Sequence, residues 1–255
     1  MIVRIAQIRV YPISKDLGAN HSRLMEVLST LAEYKPDVVI TPEGFLDGYV
    51  GKDPTVTTDT IRQYAIEPAT SAYARSVSDW AAANRSWIVF GCARAVPEGV
   101  YNSALIYNRD GELIGIYDKT HIQSHDKKYL PGQSLPVFSS DFGPFGVMIC
   151  ADRRWPETVR TLALKGARVI FNPTYGNHSE RNLHMMQTRS YESEVFIAFT
   201  HPAQSLITGP EGEIIVNECS EGKGFSITEI DLTKVDERRA WPTSHLAYRR
   251  TDLYL

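Results

Sequence analysis

Hydrophobic and polar positions alternate along much of the chain, and this pattern predicts a series of β-strands. The opening segment "IVRIAQIRVY" (2–11) has a period of two and is rich in branched residues. Similar segments recur, and we predict further strands at 36–43, 86–96, 145–150, 168–174, 195–202 and 224–231. Hairpins are predicted over 100–122, joined at Asn108–Gly111, and around Pro210–Gly212.

Segments with helical periodicity lie between these strands. The pattern predicts a first helix over 23–34, capped by Asn20 with Ser22 close by. Further helices are predicted over 71–84, 156–167 and 182–194, and a polar tail follows the last strand. Because strands and helices are interleaved without a linker or repeat, we predict one α/β domain over 1–255, built on a mixed sheet.

Composition and charge restrict the class of partner. The 255 residues are 43 % hydrophobic and 22 % charged, which is ordinary for a globular protein. The net charge is −3 and no basic stripe stands out, so we expect no nucleic-acid partner. The N-terminal residues lack the features of a signal peptide, and no apolar segment approaches the roughly 20 residues of a membrane helix. We therefore expect a protein that does not bind membranes.

The cysteines fit neither a disulfide framework nor a zinc site. Cys92, Cys150 and Cys219 are odd in number and lie far apart in the sequence. A reducing, cytoplasmic location is the simplest interpretation. For Cys92 and Cys219 we expect the ordinary role of a small buried hydrophobic residue.

Three ionisable residues follow predicted strands, where α/β proteins often gather reactive groups. Glu43 follows "VVITP", Lys119 follows "IGIYD", and Cys150 ends "FGVMI". A thiol becomes a good nucleophile when a base takes its proton, and a cation can stabilise the oxyanion that results. Taken singly, each residue also has an ordinary reading: a buried cysteine, a loop glutamate and a surface lysine. Spacing alone does not show that they meet.

Three local segments together resemble the catalytic motifs of the nitrilase superfamily, the carbon–nitrogen hydrolases. These segments are "TPEGFLDGY" (41–49), "YDKTHI" (117–122) and "GVMICADRRWPE" (146–157), in the family's order. Flanking segments such as "YLPGQ" (129–133) and "ALKGARVIFNPT" (163–174) agree with it. The resemblance spans nearly the whole chain.

The resemblance implies a fold and a set of roles. The fold is a four-layer α-β-β-α sandwich, paired as a homodimer or a higher homo-oligomer around the helix after the cysteine. The implied roles are general base for Glu43, stabiliser of the tetrahedral intermediate for Lys119, nucleophile for Cys150 and oxyanion contact for the Ala151 N–H group. No metal or organic cofactor is implied.

One catalytic position departs from the family pattern. Family members often carry a second glutamate in the loop after the lysine, whereas this chain has "QSHDKKYLPG" (123–132) there. Asp126 is the best match and is one methylene shorter. His125 is the alternative, and a site without a fourth group is the third possibility.

The residues after the cysteine favour an amidase. Ala151-Asp152 stands where nitrilases usually carry Trp-Glu, and "DRRWPE" is most like amidases that act on N-carbamoyl amino acids. That resemblance implies that Arg153 and Arg154 hold a substrate carboxylate, which a guanidinium suits well. The alternative is that they form structural ion pairs with Asp152 or Glu157, or serve the dimer interface.

The segment "NPTYGNHSERN" (172–182) departs from the carbamoylase pattern. Tyr175 stands where that group presents an asparagine, so Tyr175 is a candidate to line the substrate pocket, with ordinary packing as the alternative. His178 and His184 lack metal-ligand spacing, and we expect them to be helix-face residues.

The sequence thus predicts a thiol amidohydrolase that cleaves a non-peptide C–N bond in a small amide or N-carbamoyl compound. A nitrilase is the first alternative, and a non-catalytic scaffold of the same fold is the second. A redox-sensing thiol lacks a resolving cysteine nearby in the sequence.

Overall fold

The computed structural model describes residues 1–219 and 224–254. Its strands, in chain order, are β1 (Ile2–Ile8), β2 (Val38–Ile40), β3 (Trp87–Val96), β4 (Gly99–Tyr107), β5 (Leu113–Asp118), β6 (Val137–Phe138), β7 (Phe145–Val147), β8 (Val169–Pro173), β9 (Phe196–His201), β10 (Gln204–Thr208), β11 (Ile214–Glu218) and β12 (Phe225–Asp231). They form two six-stranded sheets, with orders β12-β1-β2-β3-β4-β5 and β11-β10-β9-β8-β7-β6. In each sheet three adjacent strands, β1 to β3 or β7 to β9, run parallel, and the flanking pairs are antiparallel.

Helices cover the outer face of both sheets. They are α1 (Leu17–Leu31), α2 (Ala72–Asn84), α3 (Pro156–Leu164), α4 (Glu180–Ser193) and α5 (Thr233–Ala240). One hydrophobic cluster joins α1 and α2 to the first sheet, a second joins α3 and α4 to the second sheet, and a third lies between the sheets. The order of layers is α-β-β-α, which confirms the predicted fold class.

The period-two pattern of the sequence explains this layering. In β1, Val3 and Ile5 belong to the cluster between the sheets, whereas Ala6 and Ile8 face the helices. In β8, Phe171 points between the sheets and Ile170 points to the helices. Strands buried on both faces are therefore apolar almost throughout, as the central strands are.

The start of the first helix was predicted wrongly, and one helix was missed. The first helix begins at Leu17, where the Asp16 carboxylate accepts from Ala19 N at 2.9 Å, so Asn20 is not its cap. The Asn20 side chain is buried inside that helix and bonds the backbone at Ile13 and Leu46. The supposed polar tail contains α5, whose low hydrophobicity hid its periodicity.

The cysteines divide as follows. Cys92 is buried, as expected, but Cys219 is exposed, so the expectation that it packs as a buried hydrophobic residue was wrong. Cys150 does not end a strand, because β7 stops at Val147 and a short 3-10 helix runs from Cys150 to Arg154. Within the described ranges, no helix has the length and apolar character needed to cross a membrane.

Candidate active site

The three candidate catalytic residues follow strands of both sheets. Glu43 comes three residues after β2, Lys119 directly after β5, and Cys150 three residues after β7. β2 and β5 belong to the first sheet and β7 to the second. The site therefore lies where the ends of the two facing sheets meet.

Lys119 joins two buried carboxylates. Its Nζ lies 2.8 Å from Glu43 Oε1 and 2.5 Å from Asp126 Oδ2, and all three side chains are fully buried. Burial alone would lower the pKa of the Lys119 ammonium, but the neighbouring Glu43, Cys150 and Asp126 more than offset it and raise that pKa. Lys119 is consequently a fixed positive charge.

Both oxygens of Glu43 have donors. Oε1 accepts from Lys119 Nζ and from Asn102 Nδ2 at 2.9 Å, while Oε2 accepts from the backbone N–H of Tyr175 at 3.1 Å. Asn102 lies on β4 and Tyr175 follows β8, so both sheets orient this carboxylate. Tyr175 contacts Glu43 through its backbone N–H, while its half-buried ring lines a surface cavity.

Asp126, and not His125, contacts Lys119. Asp126 closes a short 3-10 turn, and its Oδ1 accepts from the Tyr49 hydroxyl at 2.8 Å. The His125 ring lies at the surface, with Nε2 3.1 Å from the same hydroxyl. Burial, followed by the charges of Glu43 and Asp126, raises the pKa of Tyr49, which therefore stays a hydroxyl donor.

Cys150 sits on a left-handed turn. Its φ is +46°, a conformation that non-glycine residues rarely adopt, and only 5 % of its surface is exposed. The backbone of Gly176 lies so close that a methyl group there would be 3.1 Å from Sγ. The Ala151 N–H donates to no acceptor among the described residues, so it is available to a ligand.

The thiol is held protonated at rest. Burial is the main cause that raises the Cys150 pKa, and the charge of Glu43 adds to it. Arg153 and Lys119 oppose this shift without overcoming it. A base must therefore remove the proton when the thiol reacts, and Glu43 is the carboxylate that acts on its pKa.

The two candidate arginines are not placed together. Arg153 is 1 % exposed, and its guanidinium donates to Cys150 O at 2.5 Å, Asn182 Oδ1 at 2.6 Å and Asn177 O at 2.8 Å. Each guanidinium nitrogen thus donates a hydrogen bond to another group of the protein, and Nη1 also lies 3.6 Å from Cys150 Sγ. Arg154 is exposed.

Within the described ranges neither arginine forms an ion pair with Asp152 or Glu157, whereas the alternative that they serve a dimer interface stays a prediction. Asp152 instead accepts from the hydroxyls of Tyr117 and Thr120 at 2.7 and 3.0 Å, and from Ile149 N at 2.9 Å. Its Oδ1 also contacts His121, with 2.9 Å to the backbone N and 2.8 Å to Nδ1. Asp152 thereby fastens the turn of Cys150 to the segment that carries Lys119.

The histidine expectations divide as well. His184 is exposed on α4, as expected, whereas the His178 ring packs 4.3 Å from the ring of His201. Nδ1 of His201 accepts from Ala203 N at 3.0 Å, and Nε2 lies 3.3 Å from Tyr175 O. No group of three or more His, Cys, Asp or Glu in the described ranges could hold a metal.

Sequence reasoning missed four residues that shape the site: Asn102, Tyr49, Asp152 and His201. Tyr49 and Asp152 lie inside the quoted motifs, and this was the only signal for them. Asn102 and His201 lie within or at the end of strands and gave no signal, because partners distant in sequence define their roles.

The chain belongs to the carbon–nitrogen hydrolase family, whose model matches residues 2–240. This confirms the family and the enzyme class predicted from the three motifs. The ω-amidase Nit3 of Saccharomyces cerevisiae is 28 % identical, with 99 % of this chain and 94 % of that protein aligned. A nitrilase of Pyrococcus abyssi is 29 % identical over 93 % of each chain.

Solved structures share the fold. The crystal structure of yeast Nit3, described as a member of branch 10 of the nitrilase superfamily, superposes with a TM-score of 0.83 at 24 % identity over 97 % of each chain. An amidase variant of Nesterenkonia sp. superposes with a TM-score of 0.80 at 20 % identity, over 98 % of this chain and 95 % of that chain. In that structure the acetamide moiety of fluoroacetamide is covalently attached to the active-site cysteine.

Proposed function

We propose that the protein is a thiol amidohydrolase that cleaves a non-peptide C–N bond of a small amide or N-carbamoyl compound through a thioester on Cys150. The observation that carries this proposal is the buried cluster in which Lys119 bridges Glu43 and Asp126. A buried ammonium with two carboxylates is costly to maintain unless its charges are used or fully paired. This cluster lies beside a buried thiol.

In the first half-reaction, Glu43 takes the proton of the Cys150 thiol as sulfur bonds to the carbonyl carbon. The carbonyl π electrons move to oxygen, and the Lys119 ammonium and the Ala151 N–H stabilise the oxyanion. The intermediate collapses, the C–N bond breaks, and Glu43 returns its proton to nitrogen. Ammonia leaves and the acyl group remains on sulfur as a thioester.

In the second half-reaction, Glu43 takes a proton from water, whose oxygen attacks the thioester carbon. Collapse breaks the C–S bond and sulfur regains a proton from Glu43. The products are a restored thiol and either a carboxylic acid or a carbamate, which breaks down to carbon dioxide and an amine. Asp126 does not exchange protons in this scheme; it holds Lys119 and Tyr49 in place.

Several features support an amide over a nitrile as substrate. Two relatives are named for amide hydrolysis, the ω-amidase and the Nesterenkonia amidase. The residues after Cys150 are also not the nitrilase pair. The Pyrococcus relative bears the name nitrilase, so nitrile hydrolysis is the second candidate function. The three free cysteines fit the reducing cytoplasm that we propose as its location.

Ammonia release is the test of the proposed function. The panel contains ω-amides of dicarboxylic acids, N-carbamoyl amino acids of both hands, aliphatic amides and nitriles. We expect turnover of amides by the wild type, and a loss of about 10³-fold or more in kcat for Cys150→Ala and Glu43→Gln. Lys119→Ala should lose as much, because the oxyanion then lacks its cation.

The controls separate chemistry from folding. Circular dichroism and thermal unfolding should show that Cys150→Ala remains folded. Turnover retained by Cys150→Ala would refute the thioester route, and turnover of nitriles alone would establish the second function. If Cys150 reacts with iodoacetamide no faster than it does in the unfolded chain and no substrate turns over, the non-catalytic scaffold is correct.

A further inference from the structure

A group of basic side chains lies beside the candidate active site. Lys52, His125, Lys127 and Lys128 line a surface cavity of about 340 Å³, and we call this group the basic rim. They come from two loops that are distant in sequence, 50–58 and 124–128. Such a concentration of positive charge is unusual in a chain with a net charge of −3.

The basic rim is connected to the catalytic cluster through Tyr49. The Tyr49 hydroxyl contacts both His125 of the rim and Asp126 of the cluster. Lys52 also lines a second cavity, of about 310 Å³, together with Tyr49 and Tyr175. Its Nζ lies 5.6 Å from the centroid of the Tyr175 ring, and Tyr175 N donates to Glu43. Lys52 therefore lies beside Tyr49 and Tyr175, each of which donates a hydrogen bond to a carboxylate of the catalytic cluster.

Lys52 and Lys127 have ammonium groups that the protein leaves unpaired. Neither forms an ion pair within residues 1–219 and 224–254. The nearby Asp53 is paired with Lys15 at 2.8 Å, and Lys128 donates to the Asp53 carbonyl. Both Lys52 and Lys127 are exposed, so neither is held in place by packing.

The charge of the cluster explains why a rim of cations would be useful. The Lys119 ammonium is already paired with the carboxylates of Glu43 and Asp126, so this cluster has no cation free to bind the acid group of a substrate. The Arg153 guanidinium keeps its positive charge, but its three nitrogens donate to Cys150 O, Asn182 and Asn177 and are not free to bind a carboxylate. An anionic substrate needs cations at the far end of the site, and the basic rim supplies them.

We propose that Lys52 and Lys127 bind the carboxylate of an amide substrate whose acid group lies at the end opposite the scissile bond. Monoamides of short dicarboxylic acids have this chemistry. The proposal rests on the proposed amidase function and assigns the specificity to the basic rim in place of Arg153 and Arg154. A long-range pair with a lysine ammonium gives affinity for an anion without demanding the fixed geometry of a guanidinium.

The test compares two amides of equal shape, succinamate and 4-methylpentanamide, which differ in a carboxylate against an isopropyl group. We expect a higher kcat/KM for succinamate in the wild type. Lys52→Gln and Lys127→Gln should each lower the succinamate-to-4-methylpentanamide ratio about fivefold, since exposed ion pairs are weak. The double variant should lower it further. Raising the salt concentration should have the same effect in the wild type only.

Lys234→Gln is the matched control, because Lys234 is an exposed lysine on α5 that lines neither cavity. It should keep the wild-type ratio. A ratio unchanged in Lys52→Gln, Lys127→Gln and the double variant, in a chain that turns over both amides, would overturn the rim proposal and leave the amidase proposal intact.

A binding measurement keeps the two proposals separable if turnover fails. Calorimetry with Cys150→Ala should show tighter binding of succinamate than of 4-methylpentanamide. The preference should fall when Lys52→Gln and Lys127→Gln are added. An equal preference with and without these lysines contradicts the rim proposal, whereas an absence of ammonia release by the wild type contradicts only the proposed function.

Discussion

The contacts of Lys119 show how an aspartate is accommodated where the family resemblance implies a glutamate. An aspartate reaches less far than a glutamate, yet Asp126 Oδ2 lies 2.5 Å from Lys119 Nζ. The loop between them is short, and Asp126 N donates to Gln123 O at 2.9 Å to form a tight turn that brings the carboxylate inward. The tight turn thus compensates for the shorter side chain. The spacing of seven residues could not reveal this, because the turn geometry was not visible in the sequence.

His201 should remain neutral well below the usual pH of imidazole titration. Burial, then the neighbouring His178 and Arg153 charges, lower its pKa to about 4. The hydrogen bonds agree, because a proton on Nδ1 would face the N–H of Ala203. The unfolded chain takes up this proton near pH 6.5 and the folded chain near 4. The stability that neutral His201 contributes is therefore complete above pH 6.5 and is lost as the pH falls toward 4.

Urea unfolding between pH 7 and 4.5 measures this contribution. We expect the wild type to lose stability relative to His201→Gln by at most about 1.4 kcal/mol per pH unit. Titration of the imidazole signals by nuclear magnetic resonance gives the pKa directly. A midpoint near 6.5 for His201, or equal slopes for both chains, would contradict the assignment.

The strands were predicted well because the pattern of apolar residues in the sequence indicates which of their faces are buried. Central strands are apolar on both faces, whereas the edge strand β11 is partly or fully exposed at every position. Helix α2 was predicted almost to the residue, because Ser71 caps it and Trp80 belongs to its buried face. These signals are local, so one chain was enough to find them.

Elements that depend on distant partners were predicted less well. Asn20 looked like a cap, but its side chain bonds two loops that only the fold brings near. Cys150 looked like the end of a strand, but it has a φ of +46° and begins a 3-10 turn. A cysteine in the sequence does not indicate such a turn. Both misreadings occurred where tertiary contacts outweigh local preference.

The 3-10 turn of Cys150 depends on Asp152, and Asp152→Asn tests this dependence. Both carboxylate oxygens accept at least two hydrogen bonds, so either orientation of an amide would place its NH₂ against donors such as Tyr117 and Ile149 N. One orientation sets the NH₂ against Ile149 N–H and the other sets it against His121 N–H, so we expect a loss of about 2 kcal/mol in the free energy of unfolding. We also expect kcat to fall more than KM changes, since Asp152 positions the nucleophile without touching substrate.

Tyr117→Phe is the matched control for Asp152→Asn, because it removes a single hydrogen bond from the same carboxylate. It should cost less stability and retain most of kcat. The positioning role would be wrong if Asp152→Asn lowered stability but left kcat for a neutral amide at the wild-type value.

At the scale of the whole molecule, the candidate site exists only because two sheets face each other. Gln7 of β1 crosses the interface and donates to Phe199 O at 2.7 Å and to Thr200 Oγ1 at 3.0 Å on β9. Nothing in the sequence indicated this pairing. The motifs did indicate that Glu43, Lys119 and Cys150 belong to one site, but only through resemblance to a family.

The homodimer remains a prediction, and the outer face of the second sheet offers a surface for it. A groove of about 1100 Å³ lies between α3, α4 and the segment 243–254. Large apolar side chains around it are exposed, among them Leu164 at 46 %, Tyr248 at 71 % and Tyr254 at 56 %. Apolar surface of this kind commonly marks an interface between protein chains.

A twofold interface makes this prediction sharp, because each substitution enters it twice. Leu164→Glu on α3 would place two carboxylates in a contact that is self-complementary, so we expect the dimer to dissociate. Leu113→Glu on β5 is the control, since Leu113 is 39 % exposed on the other sheet and should leave the assembly intact. Sedimentation velocity distinguishes the masses. A monomeric wild type would contradict the predicted dimer, and a dimer that survives Leu164→Glu but not Leu113→Glu would place the interface elsewhere. Because association stabilises the folded chain, we also expect Leu164→Glu to lower the melting temperature.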